Sequence, residues 1–314
     1  TLINNREITT TSSKEEKWNI TITFINYDET QNANAEKSMS AKVMIQKESM
    51  LLTRYVKSLY TGTQGENGIY YHNSSLTYGA VDNSYRYAGA SDTTNNYVCF
   101  GSDASTCSED NLYRIIGVFG ENVKLIKATA ITSDLLGTNG AYATDTTFKW
   151  SNLSSCPSDT TAYAKSSNII AVAGDLTNGG CNLWKYSDLN TINLNTNFLN
   201  NIGTTWSNMI EDTTWKVSGG SQSNVYARHM YTQEIDEATK TYGPSDGTSK
   251  IGLMYASDYG FAAEPSAWTT NLSSYSNSSI QSVNWIYSGL VEWTMTPDSL
   301  SDLSVFILSS NGNL

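Results

Sequence analysis

Charge and histidine are scarce in this chain, and their scarcity excludes several classes of function. Only 16% of the 314 residues are charged, two are histidine, and the net charge is −11. Nucleic acids and anionic lipid surfaces attract clusters of lysine and arginine. Because the sequence has no basic run and no glycine-rich phosphate loop, we expect neither of these partners.

Long apolar runs and metal-binding motifs are also missing. No stretch of 18 or more residues is apolar, so the sequence predicts no membrane span. No Asp-x-Asp-x-Asp-Gly loop or Cys-x-x-Cys pair occurs, so we predict no bound metal and no cofactor. His72 and His229 stand apart from any nucleophile motif, and the sequence therefore predicts no catalytic residue and no enzyme.

The four cysteines fall into two local pairs. Cys99 and Cys107 bracket a short polar loop, and Cys156 and Cys181 bracket a longer one. An even number of cysteines in close pairs favours two disulfides, which persist in oxidising compartments. We therefore predict an extracellular or bacterial cell-surface location. The alternative is that Cys156 and Cys181 are reactive thiols.

Residues 1–48 are predicted to form a first unit. From Trp18 to Phe24 apolar residues alternate with polar ones, the pattern of a strand with one buried face, and residues 41–45 predict a second strand. Two strands do not hold a core by themselves. We expect this unit to be a β-sandwich fragment that pairs with an earlier segment, with the rest of the chain or with a neighbouring subunit.

The remaining residues predict short helices among antiparallel strands. Residues 49–95 are interpreted as a helix capped by Ser49, followed by an ordered surface connector. Residues 96–314 are interpreted as an α+β domain rich in hairpins and long loops. The elements predicted are a hairpin over 112–127, helices over 50–60, 184–202 and 206–211, and strands over 97–100, 251–256, 283–287 and 303–308.

Several separated motifs resemble one family. They are Tyr97-Val-Cys-Phe-Gly, Asn111-Leu-Tyr-Arg-Ile-Ile-Gly-Val-Phe119, Ile251-Gly-Leu-Met-Tyr-Ala-Ser-Asp-Tyr-Gly260, Asn284-Trp285 and Glu292-Trp-Thr-Met-Thr-Pro297. Their order resembles the DUF6273-like domains of secreted and pilus-like Firmicutes proteins. That resemblance implies a C-type lectin-like fold, which formylglycine-generating enzymes share, and a closing strand beyond Leu314. Residues 8–46 resemble the last strands of the jelly-roll domain in TasA/camelysin fibre proteins.

Aromatic residues are the candidates for a binding surface. The chain has 20 tyrosines and eight tryptophans, and such side chains make rigid amphipathic contacts. Trp268 lies in a polar segment and is the first candidate for an exposed contact, whereas Trp285 and Trp293 are predicted core residues. The speculative ligand-binding set is Trp268, Tyr255, Tyr259 and Tyr287.

These observations favour a non-enzymatic adhesion or ligand-binding domain whose partner is an extracellular glycan or protein. A structural subunit of a pilus or fibre, which binds neighbouring copies, is the alternative. A formylglycine-generating type of enzyme that uses Cys156 and Cys181 is the least favoured alternative. We expect a segment of a longer exported protein, because no signal peptide precedes Thr1 and the predicted Asn311-Gly312 turn stands just before Leu314.

Overall fold

The chain divides into two units, residues 1–49 and residues 50–314. The structure, a computed structural model, describes only part of the second unit. The described residues are 51–138, 184, 187–217, 219–220, 225–235, 247–297 and 305–314. The strands predicted within residues 1–48 lie outside them.

The regular elements of this unit are short and alternate in type. The helices are α1 (Leu52–Ser58), α2 (Ser133–Leu136), a π-helix (Leu189–Phe198) continued by α3 (Leu199–Asn201), α4 (Thr204–Ser207), α5 (Ala227–Ile235), α6 (Ala256–Ala262) and α7 (Ser278–Gln281). Single 3-10 turns occupy Glu66–Gly68, Glu109–Asn111, Pro265–Ala267 and Leu272–Ser274. The strands are β1 (Ile69–Tyr71), β2 (Tyr85–Tyr87), β3 (Tyr97–Cys99), β4 (Leu112–Phe119), β5 (Asn122–Lys127), β6 (Thr213–Trp215), β7 (Gly247–Ser249), β8 (Glu292–Pro297) and β9 (Val305–Leu308).

A five-stranded antiparallel sheet is built around β4. β5 pairs along one edge of β4, β2 and β3 pair along the other, and β1 extends the sheet beyond β2. Gly117 permits the close approach of β2, because a Cβ atom there would lie 2.3 Å from the carbonyl oxygen of Tyr85. Two smaller antiparallel pairs, β6–β7 and β8–β9, complete the described strands, and the fold class is α+β as predicted.

The predicted hairpin is confirmed, and the helices predicted over 50–60 and 184–202 appear in shortened form, whereas the helix predicted over 206–211 is shifted to Thr204–Ser207. β4 and β5 match the hairpin over 112–127, and six consecutive residues of β4 are buried. α1 occupies the middle of the helix predicted over 50–60, with Val56 fully buried and Tyr55 51% exposed. The predicted strands over 97–100 and 303–308 appear as β3 and β9.

Residues 61–95 were predicted to form a surface connector. Instead, they contain β1 and β2, which belong to the central sheet. Ile69 and Tyr87 are 0% and 3% exposed and belong to the main apolar core. Each of the two strands has only three residues, which is too short for an alternating pattern to stand out in a sequence.

Two further predicted strands, over 251–256 and 283–287, are wrong. The side chain of Asn195 accepts hydrogen bonds from the amides of Lys250 and Ile251 at 3.1 and 3.0 Å, so a side chain takes the place of a partner strand. Near the second position only one isolated bridge forms, between Ala263 and Asn284. The side-chain oxygen of Asn284 then accepts from the amide of Ile286, which turns the backbone out of an extended path.

The largest apolar core contains residues of the central sheet, of α6 and of the segment around Trp285. Trp285 is 3% exposed and donates from Nε1 to the carbonyl oxygen of Tyr87 at 2.9 Å, which confirms its predicted place in the core. Trp293 is half-buried and packs against a second apolar cluster. α6 is buried along its whole length and contributes residues to the largest core.

Candidate functional site

The loop between β1 and β2, residues 72–84, is fixed at its base. The amide of His72 donates to the carbonyl oxygen of Ser84 at 2.8 Å, and the amide of Asn83 donates to that of His72 at 3.0 Å. The buried imidazole of His72 accepts from the amide of Ala80 through Nδ1 at 3.0 Å. Burial lowers the pKa of His72 well below its usual value, so the ring acts as a neutral acceptor.

Three non-glycine residues of this loop have a left-handed backbone. The φ angles of Tyr78, Val81 and Asn83 are 60°, 61° and 57°. Asparagine tolerates this region, whereas a β-branched or bulky residue there costs about 1–3 kcal/mol. The side chains of Tyr78 and Val81 are 42% and 41% exposed, so full burial of these side chains does not offset the backbone strain. Strain and apolar exposure at the same positions are typical of a contact surface.

Tyr78, Tyr226 and His229 form a row of ring contacts at the surface. We name these three residues the loop patch. The rings of Tyr78 and Tyr226 meet edge to face, with centroids 6.1 Å apart and an interplanar angle of 86°. Tyr226 also lies against the imidazole of His229, with centroids 3.9 Å apart at 31°. Tyr226 is half-buried and His229 is exposed, so the row offers ring surface and polar edges together.

A buried charge network, formed by Asp82, Arg86, Lys124 and Asp258, supports the loop. Arg86 is 2% exposed; it donates to a carboxylate oxygen of Asp82 at 2.6 Å and to the hydroxyl of Ser84 at 2.8 Å. The hydroxyl of Tyr231, on α5, donates to the same oxygen of Asp82 at 2.8 Å. The loop is therefore tied to the helix that follows Tyr226.

Asp82 stays ionised in this network. Burial acts to raise the pKa of its carboxyl group, but the charge of Arg86 and the hydrogen bonds from Ser84 and Arg86 outweigh burial and hold the pKa well below its usual range. The rings of Phe119, Tyr231 and Phe261 lie 4.7–4.9 Å from the guanidinium carbon of Arg86. These rings replace water around the cation.

Asp258 connects the network to α6 and β5. Its Oδ2 atom accepts from the amide of Tyr255 at 2.9 Å and from Nζ of Lys124 at 2.5 Å. Its Oδ1 atom lies 3.8 Å from Nη1 of Arg86. Two carboxylates therefore face two cations, and the four charges balance within the network.

Glu234 is a separate buried acid with no cation beside it among the described ion pairs. Its Oε1 atom accepts from the hydroxyl of Thr296 at 2.5 Å and from the amide of Ser257 at 3.2 Å, and its Oε2 atom has no hydrogen-bond partner among the described residues. Burial raises the pKa of Glu234 to about 7. The protonated form is therefore favoured in the fold at mildly acidic pH.

The predicted exposure of Trp268 is wrong. Its side chain is 0% exposed, and Nε1 donates to the carbonyl oxygen of Ala263 at 2.8 Å. The rings of Tyr70, His72 and Phe261 lie 5.2–5.6 Å away. The 3-10 turn at Pro265–Ala267 folds the chain back on itself, so polar neighbours in the sequence do not imply an exposed tryptophan.

The other three predicted binding residues have different surroundings. Tyr259 is 0% exposed and donates to the carbonyl oxygen of Gly312 at 2.7 Å. Tyr255 and Tyr287 are half-buried; the first lies over Lys124, with Nζ 4.3 Å from the ring centroid, and the second donates to the carbonyl oxygen of Ser310 at 2.9 Å. A role of any of these residues in ligand binding stays a prediction.

Of the two predicted disulfides, the one between Cys99 and Cys107 is confirmed, with the two Cα atoms 5.7 Å apart. Cys156 and Cys181 lie outside the described residues, so their disulfide and the alternative that they are reactive thiols both stay predictions. Among the described residues, no cluster of three or more histidine, cysteine or acidic side chains could hold a metal ion.

Sequence reasoning missed both the loop patch and the charge network. One local signal was available: Arg86 stands between Tyr85 and Tyr87, and a charge inside a short aromatic strand requires a buried partner or an exposed face. Asp82 lies four residues before Arg86, but the other two members, Lys124 and Asp258, are 134 residues apart. No local pattern links them.

The comparisons with known proteins leave the family open. No family model, no curated protein and no solved structure matches this chain. Within the described part of the chain, no helix is long and apolar enough to span a bilayer. The resemblance to DUF6273-like domains and the C-type lectin-like fold therefore remain predictions.

Proposed function

We propose that this chain contains a non-enzymatic ligand-binding or adhesion domain of an extracellular bacterial surface protein, with the loop patch as its contact surface. The observation that carries the proposal is the state of Tyr78, which combines a left-handed backbone with a side chain 42% exposed. Neither property stabilises the fold. A contact surface for a partner accounts for both.

The surroundings of the patch support the same proposal. Buried hydrogen bonds and the charge network hold the loop in one conformation, so a ligand would not have to order it. Preorganised contact surfaces gain affinity because less conformational entropy is lost on binding. Aromatic rings with polar edges suit an extracellular glycan or a protein ligand.

The extracellular location and the C-type lectin-like fold are also part of the proposal. The pairing of Cys99 with Cys107 supports an oxidising compartment. Antiparallel strands connected by long loops are compatible with the C-type lectin-like fold that the sequence resemblance implies.

A screen of glycans and surface proteins with the whole 314-residue chain tests this function. Tyr78→Ala should weaken binding of any ligand found by about tenfold or more, the usual effect of truncating a central contact residue. Tyr55→Ala is the matched control, because Tyr55 is 51% exposed on α1 and lies outside the patch. Equal binding by Tyr78→Ala and the native chain, or turnover of a substrate, would contradict the proposal.

A fibre subunit is the second candidate, and a different surface favours it. Leu290, Val291 and Ile307 are 50%, 63% and 42% exposed at one end of the β8–β9 pair, which no further strand joins among the described residues. Exposed apolar strand edges are suited to pairing with another copy. Filaments of the native chain in electron micrographs that disappear with Ile307→Lys would favour this candidate, and a monomer at all concentrations would exclude it.

A further inference from the structure

Lys124 and Asp258 are placed for a covalent reaction with each other. Nζ of Lys124 lies 2.5 Å from Oδ2 of Asp258, and their side chains are 16% and 2% exposed. Lys124 belongs to β5 in the central sheet and Asp258 to α6, and the two are 134 residues apart. We propose that they form an intramolecular amide bond between the sheet and α6.

Aromatic rings surround the ammonium group of Lys124 and screen much of the pair from water. Nζ of Lys124 lies 4.3 Å from the ring centroid of Tyr255, 5.5 Å from that of Trp215 and 5.8 Å from that of Phe119. An ion pair that is screened from water loses much of the hydration that keeps it ionised. The condensation starts with the transfer of one proton from Nζ to Oδ2.

The condensation itself needs no further reactant. The lone pair of Nζ attacks Cγ of Asp258 and forms the Nζ–Cγ bond. A second proton passes from Nζ to Oδ2, the Cγ–Oδ2 bond breaks, and one water leaves. The product is an amide that keeps one hydrogen on Nζ and has Oδ1 as its carbonyl oxygen.

Arg86 stabilises the charge that develops in this step. Its Nη1 atom lies 3.8 Å from Oδ1 of Asp258, the oxygen that becomes negative when Nζ attacks. A fixed cation next to a developing oxyanion, in a site that excludes water, lowers the barrier of acyl transfer. Arg86 does not compete as a nucleophile, because its guanidinium is held by hydrogen bonds to Asp82 and Ser84.

The exposed ion pair Lys57–Glu121 shows what these surroundings add. Nζ of Lys57 lies 2.8 Å from Oε1 of Glu121, but the two side chains are 31% and 84% exposed. Water reaches both groups, and the charge of Arg54 also acts on the Glu121 carboxylate. Proximity and a nearby guanidinium are common to the two pairs, whereas burial among aromatic rings belongs to Lys124–Asp258 alone of the two.

The bond would make part of the domain inextensible. Tension applied at the ends of the chain would pass through the amide and bypass the residues between 124 and 258. This property would suit a surface protein under mechanical load, but the bond does not depend on the proposed function.

Mass spectrometry of the denatured and reduced chain tests this inference. We expect the native chain to be lighter than its sequence mass by one water, and a tryptic digest to contain a branched peptide joining Lys124 to Asp258. Lys124→Arg should restore the full sequence mass, whereas Lys57→Arg should keep the deficit. A native chain of full sequence mass after prolonged incubation in the folded state, with trypsin cleaving after Lys124, would overturn the proposal. That result is readable even if Lys124→Arg fails to fold.

Discussion

Trp268 and Tyr78 both lie in segments that the sequence predicts at the surface, but only Tyr78 is exposed. Trp268 is flanked by serine, threonine and alanine, yet it is 0% exposed and ringed by aromatic side chains. Tyr78 comes from a stretch predicted as a surface connector; it belongs to the loop between β1 and β2 and is 42% exposed. The backbone around each residue decides its exposure. A 3-10 turn buries Trp268, and a left-handed backbone accompanies the exposure of Tyr78.

The first test of this comparison is truncation of each ring. Trp268→Ala should lower the free energy of unfolding by about 3–5 kcal/mol, because it leaves a cavity among packed rings. Tyr78→Ala should change it by less than about 0.5 kcal/mol, as is usual for exposed positions. Urea unfolding measures both. A Trp268→Ala variant as stable as the native chain would show that this tryptophan is not a core residue.

The second test concerns Glu234, which is buried like Trp268 but carries an ionisable group. Burial raises its folded-state pKa from 4.5 to about 7, so its stabilisation is complete below pH 4.5 and is lost as the pH rises through 7. The loss should approach about 3 kcal/mol by pH 8, because each pKa unit corresponds to about 1.4 kcal/mol. Thermal unfolding from pH 5 to 8 checks this expectation.

Glu234→Gln is the control for that measurement. The amide keeps the shape and cannot ionise, so the decline between pH 5 and 8 should flatten. At lower pH both proteins should lose stability alike, because the lowered pKa values of Asp82 and His72 favour the fold only while Asp82 is ionised and His72 is neutral. An unchanged decline in the glutamine variant would assign it to another group.

The third test separates the loop from its support. Tyr231→Phe removes the hydroxyl that donates to Asp82 at 2.8 Å. We expect a loss of about 1 kcal/mol of unfolding free energy and weaker binding at the loop patch, because α5 and the loop are no longer tied together. Thr232→Ala, on the exposed side of the same helix, is the control. Full affinity in the phenylalanine variant would show that the tie does not shape the patch.

The smallest expected effect concerns backbone strain. Val81→Gly should leave stability unchanged or raise it by up to about 1 kcal/mol, because glycine adopts a φ of 61° without strain. Val81→Ala keeps the Cβ atom and should show no such gain. The difference between the two variants in chemical unfolding isolates the backbone. A glycine variant clearly less stable than the alanine variant would argue against strain at Val81.

The same contrast shows how much could be predicted from the sequence. The hairpin over 112–127 was predictable because β4 is a long apolar run, and β5 follows it after a tight turn at Gly120. β1 and β2 were missed because a strand of three residues is too short to show the alternation of apolar and polar side chains. The predicted strand at 251–256 does not form, because the amides of Lys250 and Ile251 donate to the side chain of Asn195 on a distant helix. No local pattern contains that contact.

The candidate site was less predictable than the fold for a related reason. Composition pointed to aromatic contact residues, but selecting among them required knowing which rings the turns bury. The charge network depends on Arg86, Lys124 and Asp258 meeting from distant segments. The pairing of Cys99 with Cys107 is local, and it was predicted correctly.

Hydroxyl-radical footprinting of the native chain, alone and with the ligand selected in the screen, tests the central claim most directly. The account predicts that Tyr78 is oxidised readily in the free chain and becomes protected when ligand binds, while Trp268 stays unreactive until the chain unfolds. Ready oxidation of Trp268 in the folded chain, or unchanged oxidation of Tyr78 in the complex, would contradict it.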